Sequence, residues 1–336
     1  MRLRAAALKA VVTASFLASV LFVPVGAEPP IDALFAFGDS QVDTGNILAF
    51  TTALGIEPPG PPSASPHRTY YNGRFSNGPV AVEYLWELLS GAAPDTARGL
   101  QPILTFKGNP ANQAVNYAFG GSGTGILDLI PGGLLAPGLL GQVELFRASL
   151  RGRPPAKRAL YVIATGPNDY DPLGTFLPPQ QVVLNILDAA QRLYGLGARN
   201  LVIFDLPDLS LFPDGDPNGS LITQVHNQLL GQGLDILSTQ HPDLRIIRIH
   251  VNELLGQLVA LGFQLTTPAL DVLFPGPWPF NVPTSRCVVL LPLACQDADF
   301  DVVGQLGQPY LFWDFLHPTT DVHQLIGQFV YGEVVD

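Results

Sequence analysis

Four short segments carry side chains whose types and spacing could do acyl chemistry. Ser40 follows an apolar run in Leu34-Phe35-Ala36-Phe37-Gly38-Asp39-Ser40. A serine at the C-terminal end of a buried strand sits at the mouth of a crevice and becomes a nucleophile when a base reaches it. Asp314 and His317 stand three apart in Phe312-Trp313-Asp314-Phe315-Leu316-His317-Pro318. On one turn, that spacing lets a carboxylate orient an imidazole and stabilise its protonated form. Asn168, in Gly166-Pro167-Asn168-Asp169-Tyr170, offers a side-chain amide donor, and Gly120-Gly121 in Asn116-Tyr117-Ala118-Phe119-Gly120-Gly121-Ser122-Gly123 offers backbone N–H groups that approach a ligand closely. Each segment has a plainer reading: a helix N-cap, a flexible turn, an Asx turn, an Asp cap beside an incidental histidine. Jointly they supply a nucleophile, a base, an orienting acid and oxyanion donors, all on loops that follow strands or precede a helix.

Positioning those loops requires an alternation of strands and helices. Near-continuous apolar runs at 34–37, 160–164 and 201–204, with a further run at 244–249, predict strands, and continuous runs fit a parallel sheet covered on both faces. Val183, Ile186, Leu187, Ala190 and Leu193 recur at helical spacing, 221–237 reads as a second helix, and Val322, Leu325, Ile326, Phe329 and Val330 form a C-terminal stripe with Thr319 or Thr320 as N-cap. The pattern predicts an open, doubly wound α/β sheet, whose sites form beyond the carboxyl ends of the strands. The Pro/Gly-rich stretches 55–66, 131–138 and 272–284 read as surface loops or insertions, and nothing reads as a linker between two domains.

Composition narrows the function classes. The formal net charge of −11 argues against nucleic-acid binding, because an acidic chain has no general attraction for phosphate backbones. Arg2, Arg4 and Lys9 precede an uncharged, mostly apolar run that ends at Val25-Gly26-Ala27, the pattern of a cleaved signal peptide over residues 1–27. Removing those three cations leaves a mature charge of −14 on a single domain of residues 28–336 in a secreted or periplasmic setting. There Cys287 and Cys295, eight positions apart, read as a disulfide closing a small loop, with two buried thiols as the alternative. The motifs Gly-x-Ser-x-Gly, Gly-x-x-x-x-Gly-Lys-[Ser/Thr], His-Glu-x-x-His and Cys-x-x-Cys are absent, so no cofactor or metal is expected.

The four segments together resemble the GDSL family of SGNH hydrolases, in the branch of secreted lipases, phospholipase/lecithinase-type haemolysins and plant GDSL esterases. The resemblance rests on Phe-Gly-Asp-Ser-x-x-Asp-Thr-Gly-Asn at 37–46, Asn116 to Gly121, Gly166 to Tyr170 and the Asp314/His317 pair. Gly73-Arg74-Phe75-Ser76-Asn77-Gly78-Pro79 with Glu83-Tyr84-Leu85 matches that branch's substrate-side segment, and Asp205-Leu206-Pro207 looks like the same branch. It spans about residues 33–330 and implies a three-layer α/β/α, flavodoxin-like parallel sheet.

The resemblance implies Ser40 as nucleophile and, through its own N–H, one oxyanion donor. It implies Gly121 N–H (Gly120 if the register is off by one) and the Asn168 amide as the other donors, with His317 as base and Asp314 as its partner. Gln41 and Pro167 depart from the family pattern, which bears on substrate preference more than on catalysis. The expected activity is hydrolysis of carboxylic esters by a monomer acting on a small-molecule or lipid ester, with transient contact with a lipid surface. An acyltransferase using the same site and a non-catalytic exported binding protein are the alternatives. Ile126, Leu127, Leu129, Ile130, Leu134, Leu135, Leu139 and Leu140 read either as an acyl-chain groove or as a packed loop.

Overall fold

A computed structural model describes residues 31–64, 68, 70–170, 176–213, 215, 217–261, 311–314 and 316–336. The leader, the 272–284 stretch, Cys287 and Cys295 lie outside the described residues.

Six parallel strands form the central sheet. These are β1 (Ala33–Gly38), β2 (Gln101–Pro102), β3 (Ala114–Asn116), β6 (Ala159–Ala164), β7 (Asn200–Phe204) and β8 (Arg245–Ile249). Their order is β2-β3-β1-β6-β7-β8. Without the short edge strand β2, this is the flavodoxin-like order, which reverses direction between β1 and β6. Register there pairs Ala33 with Ala159 through to Gly38 with Ala164, so the chain leaves β1 towards Ser40 beside the point where it leaves β6 towards Asn168.

β1 and β6 are buried along their whole length, as their apolar runs require. Among the described residues there are seven helices: α1 (Asn46–Ala53), α2 (Ala81–Ser90), α3 (Leu139–Leu150), α4 (Pro179–Gly195), α5 (Gly219–Gln240), α6 (Val251–Ala260) and α7 (Thr320–Val335). Five of them form two packed groups, α3–α4–α5 in series and α2 with α7, giving the three-layer α/β/α arrangement. The predicted helices fall on α4, α5 and α7, and Thr319 occupies the α7 N-cap position. In α4 the periodic residues are the buried face, with Val183, Ile186, Ala190 and Leu193 all inside.

Phe35 and Phe37 on β1, Tyr117, Tyr161 and Phe146 of α3 form an aromatic cluster with ring centroids 4.8–5.9 Å apart. Phe146 is central to it, so truncation to alanine should cost about 3–5 kcal/mol.

Two features differ from the sequence expectation. β2 and β3 escape it because two and three residues are too few for a periodicity signal. The 131–138 stretch is not a plain loop: β4 (Leu127–Ile130) and β5 (Leu134–Pro137) pair antiparallel across Pro131-Gly132-Gly133. The turn residues that end a strand in sequence here join two of them.

Candidate active site

Gly38 closes β1 where only glycine fits, because a Cβ would lie 1.9 Å from Ala164 O. Its N–H and C=O bond the side chain of Gln142, buried on α3, at 2.8 Å each. The chain then turns: Val42 and Asp43 N–H donate to Asp39 O, and Ser40 sits on the turn at 6% exposure. Asp43 accepts from the N–H groups of Gly45, Asn46, Ile47 and Gly120. Asn46 donates to Asn116 O and Ala118 O, and Asn116 donates to Val42 O. The polar residues that follow the serine in the sequence motif therefore stitch the Ser40 turn to the Gly120-Gly121 loop.

The loop before α7 closes on itself, with Trp313 N–H on His317 O at 2.7 Å and Thr319 N–H on Leu311 O at 3.1 Å. Asp314 Oδ1 accepts from the N–H groups of Leu316 and His317 at 2.8 Å each. The carboxylate thus shapes the loop while also facing His317 Nδ1, at 2.9 Å from Oδ1 and 2.6 Å from Oδ2. On the far side of the ring, His317 Nε2 lies 2.7 Å from Ser40 Oγ. Burial pushes the Asp314 carboxyl up, but the His317 charge, its hydrogen bond, the Leu316 N–H and Tyr70 outweigh burial and hold it below the usual range.

The segment 73–79 braces this loop. Ser76 Oγ donates to Pro318 O at 2.8 Å, Asn77 Oδ1 caps the first turn of α7 at Thr320 N, and the Phe75 ring lies 5.1 Å from the His317 ring. Arg74, buried, pairs with Glu83 and Asp95. Phe75 also packs against Gly120, so the segment borders both the base loop and the glycine loop.

Asn168 donates to Ser122 O at 2.9 Å, which leaves its second amide hydrogen for the cleft. Gly120 N–H is committed to Asp43 Oδ2 at 3.0 Å, so of the two glycines Gly121 is the one whose N–H is not taken by that carboxylate. Gly121 has φ +78°, a left-handed backbone that favours glycine. Asp39, beside Ser40 and fully buried, is pushed up to about 7 by burial, against the Gln41 N–H, the His317 charge and the Gly166 N–H.

A cleft of about 590 Å³ opens on Ser40 and Asn168, with Phe176, Leu209, Phe212, Ile222 and Leu316 among its walls. The run 126–140 does not line it. Ile130, Leu139 and Leu140 are buried packing residues, and Ile126, Leu127, Leu129 and Leu135 are exposed. A larger open hollow of about 870 Å³ beside α1 touches none of Ser40, Asn168 and His317. Among the described residues, no group of three or more His, Cys, Asp or Glu is placed to hold a metal ion.

Sequence reasoning missed Gln142, Tyr70 and the 209–222 wall. A polar residue on the buried face of α3 was the available signal for Gln142; Tyr70 and the wall had none.

The family model for GDSL-like lipase/acylhydrolases matches residues 34–330. A GDSL esterase/lipase of Arabidopsis thaliana is 26% identical over 91% of this chain and 86% of its own length. The phosphatidylcholine-sterol acyltransferase of Aeromonas hydrophila is 29% identical, covering 90% of each chain. Among solved structures, Est24, a carbohydrate acetylesterase from Sinorhizobium meliloti, aligns at 12% identity and TM-score 0.43, covering 90% of this chain and 97% of that one.

Proposed function

The chain belongs to the GDSL-like lipase/acylhydrolase family and is a carboxylic ester hydrolase, and we propose that it works through an acyl-Ser40 intermediate outside the cytoplasm. The observation that carries this reading is the unbroken hydrogen-bond line from Ser40 Oγ to His317 Nε2 and from Nδ1 to Asp314. Ser40 Oγ attacks the ester carbonyl carbon as its proton passes to His317 Nε2. The tetrahedral oxyanion is held by the N–H groups of Ser40 and Gly121 and by the Asn168 amide, each contributing about 3 kcal/mol when well placed. Collapse expels the alcohol, which takes the proton from His317. Water, deprotonated by the same imidazole, then attacks the acyl carbon. The carboxylic acid leaves and Ser40 regains its proton.

Export rests on the leader pattern of residues 1–27. No helix among the described residues is long and apolar enough to cross a membrane. The outward row Ile126, Leu127, Leu129 and Leu135 supports transient contact of a monomer with a lipid surface.

Transfer of the acyl group to an alcohol other than water is the second reading, favoured by the 29% identity to a phosphatidylcholine-sterol acyltransferase. A non-catalytic binding protein would have lost at least one of the polar groups that are all present here. The test is a chain-length series of chromogenic esters plus a phospholipid, with and without an acceptor alcohol, in wild type and Ser40→Ala. Loss of all turnover in Ser40→Ala supports the reading, and retained turnover overturns it. A new ester formed with the acceptor favours transfer.

A further inference from the structure

Ser40, His317 and Asp314 do not end the hydrogen-bond line. Tyr70 Oη donates to Asp314 Oδ2 at 2.7 Å, the same oxygen that lies 2.6 Å from His317 Nδ1. Tyr70 comes from a segment 244 positions away in the chain, and it is 6% exposed. Its ring meets the His317 ring edge-on, with centroids 6.3 Å apart and planes at 89°, and it packs on Phe75, which itself lies against His317. One residue thus touches both partners of the pair, the carboxylate through its hydroxyl and the imidazole through its ring.

We propose that Tyr70 is a positioning residue for the reaction, a fourth member of the line, whose hydroxyl fixes Asp314 in the orientation that holds His317 towards Ser40. The inference rests on the assignment of Ser40, His317 and Asp314 made above.

The physical argument starts from the acceptor count. A carboxylate has about four lone-pair sites. Two backbone N–H groups bond Oδ1, and His317 Nδ1 lies within reach of both oxygens. Tyr70 gives Oδ2 its second donor, so both oxygens are fixed and the carboxylate plane cannot rotate without breaking a bond. Hydrogen bonds to an ionised group are about twice as strong as neutral ones. Burial, then the charge of Asp314 and the bond to it, hold the phenol far above its ordinary range, so Tyr70 stays protonated and remains a donor at every working pH. The donor also withdraws charge from Oδ2. This tempers how strongly Asp314 stabilises the imidazolium.

The experiment compares wild type with Tyr70→Phe, which keeps the ring and removes the hydroxyl. Expected are a kcat about tenfold lower with KM unchanged, and an acid limb of kcat/KM moved to higher pH, because a carboxylate with one donor fewer favours the imidazolium more. Among the described residues, Asp39 on the Ser40 turn and His323 on α7 are further titratable groups whose charges act with His317. Both are unchanged by the substitution, so the movement reports Tyr70. In an Asp314→Asn background, Tyr70→Phe should cost little more, since the hydroxyl acts through the carboxylate.

Should Tyr70→Phe fold poorly, 3-fluorotyrosine at position 70 keeps the hydroxyl and strengthens it as a donor. The acid limb should then move to lower pH. Wild-type kcat and an unmoved limb in both variants overturn the proposal, as does an equal cost in both backgrounds. Failure here with Ser40→Ala inactive rejects Tyr70 alone, whereas an active Ser40→Ala rejects the site assignment.

Discussion

Gln41 Nε2 donates to Leu316 O at 3.0 Å, tying the residue after Ser40 to the residue before His317 across 275 positions of sequence. Nucleophile and base sit on different loops, and their 2.7 Å contact depends on how those loops are held. Gln41 is also where the sequence departs from the family's usual apolar residue. Its amide supplies a cross-loop bond that an apolar side chain cannot. Gln41→Leu should lower kcat about two- to tenfold, since small misplacements of reacting groups are costly, and should cost about 1 kcal/mol of stability. Steady-state kinetics and thermal melting check this. Unchanged kcat would mean that the base loop holds its place without the bond.

Ser40→Ala and His317→Ala should each remove nearly all esterase activity, and the double variant should be about as inactive as either, because nucleophile and base act as one unit. Circular dichroism establishes that each variant is folded. A folded single variant with near-wild-type turnover sinks the assignment.

Asn168→Ala should lower kcat by roughly 10²–10³ with little change in KM, as expected of a donor that acts in the transition state. Asn168 also bonds Ser122 O, so melting is measured alongside. An effect confined to KM would place Asn168 on the ground-state substrate instead.

The strands that carry the site were legible because parallel strands buried on both faces read as continuous apolar runs, as β1, β6 and β7 do. Ser40, Asn168 and the Asp314/His317 pair were legible because short motifs end those strands or precede α7. What escaped depends on contacts between distant segments. Tyr70 and Asp314 are 244 positions apart, and no local pattern links them. Asp43, Asn46 and Asn116 were visible as motif members, but their work as stitches between loops needed coordinates. The leucines of 126–140 stayed open between groove and packed loop because apolar type alone does not separate a buried face from an exposed hairpin.

The cleft wall makes a prediction about acyl chain length. Ile222→Trp should fill part of the space beside Ser40 and shorten the preferred chain. Each methylene that loses its place should cost about fourfold in kcat/KM, from about 0.8 kcal/mol of apolar burial. Leu129→Ser, on the exposed hairpin, should leave the profile for short soluble esters unchanged. The reverse pattern, with Leu129→Ser shortening the preference and Ile222→Trp silent, would return the acyl chain to the hairpin.

Stability should carry the mark of two buried histidines. Burial lowers His323 to about 3, aided by the His317 charge, and lowers His226 to about 4. Both therefore stay neutral in the folded protein, while in the unfolded chain they gain a proton near about 6.5. Their contribution is fully present above that value and is lost as pH falls towards 4, at about 1.4 kcal/mol per pH unit for each histidine. Asp39 and Asp169, raised to about 7, and Asp43, raised to about 6, work the other way, all chiefly through burial. Between those values and the unfolded carboxyl range the folded state holds protons that the unfolded chain lacks, so these groups add stability as pH falls. The opposing sets flatten the wild-type profile, and a single substitution exposes one of them. His323→Asn, which can still accept the Ala81 N–H bond made by His323 Nδ1, removes one acid-sensitive group. Its stability deficit relative to wild type, measured by denaturant unfolding at pH 7.5, should shrink by about 3 kcal/mol at pH 4.5. An equal deficit at both pH values would mean that His323 takes up its proton in the folded state as readily as in the unfolded one.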